Sequence, residues 1–240
     1  PATFAMESDI TQLYDKAWDS NEVLFARYVG DLTERGLTGA SVDYCYSAGL
    51  FDVTEFTDIP TAWLKSDPRY AYIVGKATGP NQWQVDAGRT EDEVLIKLYR
   101  EGNGVNPYDK YCTYVFRYPE LYLMKAELLA RTNPGDIAGA LAPLNEMRAR
   151  YTVPKLEPVS ATTYQQLMDA IFKEYVVTLF LENETEWFAS IRFTTSEGTT
   201  WLKELKGTEI NYTEDQYCWP IPEDEIKAHD NPIAQNPGLE

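Results

Sequence analysis

The stretch RYPELYLMKAELLARTNPGDIAGALAPLNEMRAR, residues 117–150, decides the fold of this 240-residue chain. It holds two segments whose apolar residues recur at helical spacing, separated by Asn133-Pro134-Gly135-Asp136, in which Pro and Gly break a helix. The predicted buried stripes are Tyr118, Leu121, Tyr122, Leu128 and Leu129 in the first segment and Ile137, Ala140, Leu141, Leu144, Met147 and Tyr151 in the second. Two amphipathic helices joined by so short a loop pack antiparallel, as in a tetratricopeptide unit.

The flanking sequence predicts a mainly α-helical fold with a long third helix and a few short strands. The third helix begins after Thr162 or Thr163, either of which is a good capping residue. Its apolar stripe contains Tyr164, Leu167, Met168, Ile171, Tyr175 and Leu179. A shorter helix is predicted over residues 8–20, and strands over residues 23–29, 73–75 and 94–99, which are rich in apolar side chains.

We expect a single domain over residues 1–240, organised in three parts. The loop-rich part, residues 30–110, shows many turn residues and no lasting helical period, and is expected to lie as an irregular layer on the helices. The helical core covers residues 117–192. A tail over residues 212–240, rich in Pro and Asn, is predicted to be extended and to pack back on the helices.

The composition excludes several classes of function. A formal net charge of −17 argues against binding nucleic acid, whose affinity comes from Lys and Arg, and against anionic membrane surfaces. One His and three cysteines without a CxxC pair predict no metal site and unbridged thiols. The sequence has no GxxxxGK[ST] or GxGxxG motif, so we expect no nucleotide and no other cofactor.

Three segments, in order along the chain, resemble the SusD/RagB family. The helical hairpin matches that family's Arg-x-x-Glu-x-Tyr-Leu-x-x-Ala-Glu and Leu-Asn-x-x-Arg-x-Arg patterns at Arg117, Glu120, Tyr122, Leu123, Ala126, Glu127, Leu144, Asn145, Arg148 and Arg150. The next segment matches at Glu174, Glu182, Trp187, Phe188 and Arg192, and departs from the family pattern at Tyr175, Asn183 and Ala189. The tail resembles the "IP-x-x-E-I" element and the Asn-Pro and Gln-Asn-Pro-Gly ending, and Asp67-Pro68-Arg69 resembles an Asp-Pro-Arg motif.

The resemblance implies a function as well as a fold. Members of that family are outer-membrane lipoproteins on the cell surface that bind glycans, or in some members peptides, without catalysis and deliver them to a TonB-dependent transporter. The chain is similar to the carboxy-terminal part of such a protein, so its membrane association would depend on a lipid anchor absent from this chain. The expected partners are an oligosaccharide or peptide ligand and the transporter.

An enzyme, above all a glycoside hydrolase, and a helical-repeat scaffold that binds another protein are the alternatives. Glu174 and Glu182 are the candidate acid/base pair, but eight helical residues span about 12 Å, against the roughly 5–9.5 Å between carboxyl groups in glycosidases. A structural network of ion pairs is therefore favoured. Its expected members are Arg117, Glu120, Arg148, Arg150, Glu174, Glu182 and Arg192.

The candidate ligand residues are the aromatic side chains of the loop-rich part. Sugar rings expose apolar C–H faces that pack on flat aromatic rings, and their hydroxyl groups bind amides and carboxylates. Trp63, Tyr70, Tyr72 and Trp83 have such polar neighbours in the sequence, and none belongs to a regular apolar stripe. The alternative is that these side chains form a satellite core beneath the loops.

Overall fold

A computed structural model describes residues 3–28, 61–76, 93–95, 97, 112–206, 214–228 and 233–237. Within these residues the fold is mainly α-helical, as predicted. The α-helices are α1 (Ile10–Lys16), α2 (Thr61–Ser66), α3 (Tyr70–Ile73), α4 (Tyr118–Thr132), α5 (Ile137–Arg150), α6 (Tyr164–Thr178), α7 (Thr185–Arg192), α8 (Trp201–Lys206) and α9 (Glu223–Ala228). The strands are β1 (Val23–Tyr28), β2 (Val74–Lys76), β3 (Glu93–Leu95) and β4 (Cys112–Arg117), and 3-10 turns cover Ala17–Asp19 and Glu214–Tyr217.

The predicted hairpin and third helix are confirmed, and local capping explains where they begin. α4 starts directly after β4, where the Glu120 carboxylate accepts the backbone N–H of Arg117 at 2.9 Å. Asp136 caps α5 by accepting the backbone N–H of Gly139 at 2.9 Å. Thr163 caps α6 by accepting from the backbone N–H of Gln166. α4 packs against both α5 and α6, so these three helices form the central layer.

The predicted core face is confirmed for α5, since Ala140, Leu144, Met147 and the following Tyr151 are buried. It is also confirmed for α6, except that Tyr164 is exposed.

The predicted stripe of α4 is only partly confirmed, because Tyr122 and Leu129 pack half-buried against the core but do not form its buried face. Leu121 and Leu128 are exposed, and the buried face carries Leu123, Ala126 and Ala130. α4 contacts helices on two sides, and alanines at the contact allow the backbones to approach closely. The inward face therefore combines the small Ala126 and Ala130 with Leu123, whereas Leu121 and Leu128 face outward.

Two small antiparallel sheets flank the helices. β1 pairs with β4, and β2 pairs with β3. The strand predicted over residues 23–29 is confirmed as β1. The strand predicted over 73–75 is found one residue later, as β2, and β3 overlaps the strand predicted over 94–99 only at residues 94 and 95. Most of the loop-rich part, residues 30–110, lies outside the described residues, but its described segment 61–76 contains α2 and α3.

The tail differs from its predicted extended form, because α9 lies within it. Glu223, Asp224 and Glu225 occupy the first turn of α9, where negative charges favour the helix dipole. The Gln235 amide donates to the carbonyl of Ile221 and accepts its N–H, both at 2.9 Å, which holds the end of the tail against its beginning.

The described cysteine thiol of Cys218 is free and exposed. None of the helices in the described ranges is long and apolar enough to cross a membrane.

The observed burial of the hairpin predicts a large loss of stability for one leucine substitution and almost none for another. Leu144 is fully buried, so Leu144→Ala should lower the free energy of unfolding by roughly 2–5 kcal/mol through lost burial and a residual cavity. Leu128 is 62% exposed, and Leu128→Ala should change the free energy of unfolding by less than about 0.5 kcal/mol. Urea denaturation of both variants checks this, and equal losses would contradict the assignment of the buried face.

Candidate functional site

A buried cluster of charged side chains joins the strands to the helices, and Arg117 is one of its two centres. Arg117 lies at the junction of β4 and α4 and is 1% exposed. Its Nε donates to the Glu182 carboxylate at 2.7 Å, and its other nitrogens donate to Glu22 and to the carbonyl oxygen of Thr178. Lys97 donates to the same Glu182 carboxylate at 2.7 Å.

Arg69 is the second centre, immediately before α3. Its Nε and Nη2 each donate to the Asp67 carboxylate at 2.8 Å, and its Nη1 donates to Glu174 at 2.5 Å. Arg148 of α5 donates to the other oxygen of Glu174. Thr178 links the two centres, because its hydroxyl accepts from Arg69 at 2.9 Å while its carbonyl accepts from Arg117.

The charges of this buried cluster balance among the described residues. Its four carboxylates and four cations are Glu22, Asp67, Glu174, Glu182, Arg69, Lys97, Arg117 and Arg148. Burial would raise the pKa of Glu174, but the charges of Arg69 and Arg148 outweigh burial and lower that pKa. The pKa of Glu182 is lowered in the same way by Arg117 and Lys97. Both carboxylates are therefore held in the ionised form.

The other side chains expected in the ion-pair network lie outside this buried cluster. Arg192 of α7 donates to Glu127 of α4 at 3.0 and 3.1 Å, which fastens α7 to the hairpin. Arg150 pairs with Glu146 on the exposed surface at 2.9 Å, and Glu120 accepts the Arg117 backbone N–H rather than facing a cation.

Sequence reasoning missed Glu22 and Lys97 in the buried cluster. It singled out Asp67 and Arg69 as part of a motif and as polar neighbours of the candidate ligand residues, and gave them no part in the ion-pair network.

A cleft of about 660 Å³ opens next to the Arg69 centre. It lies between α2, the connection from α5 to α6, and α6 itself. Its lining includes Trp63, Asp67, Val159, Ser160, Gln166, Asp169 and Lys173, together with Arg148 and Glu174 of the buried cluster. A concave site of this size, lined by apolar and polar groups in similar measure, can hold a small ligand with both kinds of surface.

One wall of the cleft is fastened to α5 through backbone atoms. The Asn145 amide donates to the carbonyl of Val159 at 2.9 Å and accepts its N–H at 2.8 Å. Arg148 Nε donates to the carbonyl of Glu157 at 2.8 Å. The Leu-Asn-x-x-Arg pattern of the sequence therefore fixes the position of this wall.

Trp63 is the predicted ligand residue that lines the cleft. It is partly buried, and the Lys173 ammonium lies over its ring at 5.7 Å from the ring centroid. Tyr70 and Tyr72 are partly buried against the hydrophobic core and do not line the cleft. Trp83 lies outside the described residues.

No metal centre is visible in the described ranges, where no three His, Cys, Asp or Glu side chains come together to hold an ion.

The fold consists of a tetratricopeptide-like hairpin held to short strands by buried ion pairs. Comparison with known proteins assigns the chain to a family. A model of the SusD family matches residues 72–239, which is most of the chain. The chain belongs to the SusD family. No curated protein matches its sequence.

Solved structures of SusD superfamily proteins share the fold. One from Bacteroides thetaiotaomicron is 23% identical with a TM-score of 0.65, covering 98% of this chain and 53% of its own. A laminarin-binding SusD-like protein is 21% identical with a TM-score of 0.58, covering 98% and 54%. Surface glycan-binding protein A from Bacteroides uniformis is 15% identical with a TM-score of 0.62, covering 98% and 53%. The chain thus spans about half the length of these structures.

The lowered pKa of Glu174 gives a pH-dependent prediction. In the unfolded chain this carboxylate titrates near its ordinary value of 4.5, and in the folded protein at a lower pH. Its contribution to stability is therefore present above pH 4.5 and is lost as pH falls through the folded pKa. Glu174→Gln should cost roughly 3–5 kcal/mol at pH 7, because Arg69 and Arg148 lose their shared counter-ion, and less as the pH falls toward 3.

The matched control is Glu157→Gln. Glu157 forms an exposed pair with Lys155 at 3.1 Å, and its replacement should change stability by less than about 0.5 kcal/mol at every pH. Urea denaturation between pH 3 and pH 7 measures both variants. A constant difference between Glu174→Gln and the unmodified protein across this range would contradict the role given to Glu174.

Proposed function

We propose that this protein binds glycans without catalysis at the bacterial outer membrane and delivers them to a TonB-dependent transporter. Membership of the SusD family carries the proposal, together with a polar cleft whose walls are held by the family-like sequence patterns. Relatives of the same fold are described as laminarin-binding and as a surface glycan-binding protein. A lipid anchor would hold the protein at the cell surface.

The chemistry of the carboxylates supports binding rather than hydrolysis. A glycosidase needs one carboxylic acid that stays protonated to act as general acid. Glu174 and Glu182 are each held between two cations, and their pKa values are lowered, so neither supplies that proton. Burial raises the pKa values of Glu120 and Glu186 to about 7, but these side chains hold backbone N–H groups and do not line the cleft.

We place the ligand at the cleft that Trp63 lines. Tyr70 and Tyr72 do not line this cleft, and Trp83 lies outside the described residues, so ligand contacts by these three side chains stay a prediction.

Calorimetric titration with a panel of oligosaccharides, read beside an assay for released sugar, tests this function. The unmodified protein should bind at least one glycan and release no product. Trp63→Ala should weaken that binding about tenfold or more, as expected when an aromatic contact worth at least 1.4 kcal/mol is removed. Trp219→Ala is the control, because Trp219 is 74% exposed in the tail and away from the cleft.

Thermal melts of both variants separate a loss of contact from a loss of folding. Product release that disappears in Glu174→Gln would show an enzyme. Failure of every oligosaccharide to bind would overturn the proposed function, and binding of peptides in their place would identify the other ligand class.

A further inference from the structure

Most charged groups that line the cleft are already engaged by other side chains. Asp67 is paired with Arg69, and Glu174 is shared by Arg69 and Arg148. The Asp169 carboxylate accepts the side-chain N–H of Gln165 at 2.9 Å. These contacts hold the walls in place. Asp67 and Glu174 are neutralised by arginines, whereas Asp169 is hydrogen-bonded to a neutral amide and keeps its charge.

Lys173 is the exception. It lies one helical turn after Asp169, the spacing at which Asp and Lys commonly form an ion pair on a helix. Across the described residues, however, no carboxylate lies within the 4.0 Å that defines an ion pair with its ammonium. The ammonium lies instead over the ring of Trp63. This contact orients the side chain but uses none of the three N–H donors of the ammonium.

The position of Lys173 also changes what Trp63 offers. The ammonium lies over one face of the indole ring, so a sugar ring that stacked on that face would have to displace it. The group that the cleft presents at this point is therefore a cation with free donors. Ser160 and Gln166 belong to the same lining, and the side-chain oxygen of Gln166 accepts from Thr162, which leaves its amide nitrogen as the group with donors to offer.

We propose that Lys173 binds an acidic group of the glycan, a carboxylate or a sulfate ester, and that the cleft selects acidic over neutral oligosaccharides. The inference rests on the proposed glycan-binding function and names the class of ligand. A chain with a net charge of −17 repels anions in general, so an anionic ligand needs a local cation to be accepted. Lys173 supplies that cation, Trp63 holds it in position, and the nearby hydroxyl and amide groups suit the sugar hydroxyls.

The test compares three trisaccharides by NMR titration of 15N-labelled protein: trigalacturonate, a sulfated galactotriose and neutral galactotriose. The Trp63 indole N–H signal, assigned with Trp63→Phe, reports on the cleft. At least one of the acidic sugars should shift this signal and bind at least tenfold more tightly than the neutral one. Its affinity should fall as salt is raised from 20 to 300 mM, because salt screens the ion pair.

The decisive variant is Lys173→Met, which removes the charge and keeps an unbranched side chain only one heavy atom shorter. It should lose at least tenfold in affinity for the acidic sugar and none for the neutral one, with an unchanged thermal melt. Lys203→Met is the control, because Lys203 is exposed on α8 and does not line the cleft; it should bind like the unmodified protein.

The remaining outcomes identify the recognised acidic group or overturn the inference. Tighter binding of trigalacturonate identifies a carboxylate as the recognised group, and tighter binding of the sulfated sugar identifies a sulfate ester. Equal binding of acidic and neutral sugars, binding of the neutral sugar alone, or an unchanged affinity in Lys173→Met would overturn the inference and leave glycan binding standing. Absence of binding to all three trisaccharides would overturn the inference, and the broader oligosaccharide panel then decides whether the proposed function fails with it.

Discussion

The buried cluster of four carboxylates and four cations is the constraint on which the rest of the structure depends. Removing such groups from water costs several kcal/mol per ion, and this cost is offset only when every partner is in place. Arg117 and Arg69 therefore require the segment before β1, the start of α3, Lys97, α5 and the end of α6 to assemble together. Apolar packing of α4, α5 and α6 supplies much of the driving force, and the ion pairs determine which arrangement of strands on helices is acceptable.

The same cluster connects the scaffold to the cleft. Glu174 and Arg148 belong to the buried cluster and also line the cleft. The side chains that stabilise the contact between α5 and α6 therefore form part of the ligand-facing surface. Asn145, on the same face of α5, fixes the opposite wall. The geometry of the cleft is thus set by the core of the protein, and the side chains free to meet a ligand, such as Lys173 and Gln166, are carried on this rigid support.

The sequence predicted features that repeat locally and failed where distant residues meet. The hairpin and α6 followed from helical spacing and capping residues. The buried face of α4 did not, because hydrophobicity alone turns leucines inward, whereas close helix packing selected Ala126 and Ala130. The partners Arg69–Glu174 and Arg117–Glu22 are separated by 105 and 95 residues, so no local pattern identifies them. Trp63 was recognised as a ligand candidate, but the cation over its ring was not.

The way in which the cleft wall is attached has a consequence for how the site can diversify. Asn145 and Arg148 hold residues 157–159 entirely through main-chain N–H and C=O groups, which every residue except proline provides in full. The exposed side chains of Glu157 and Pro158 carry none of this anchoring and can vary while the backbone path is kept, whereas Val159 also packs half-buried against the core. A new wall chemistry can arise there by single substitutions, without disturbing the helices beneath. The residues that hold the fold are thereby distinct from the residues whose substitution can change which ligand is bound.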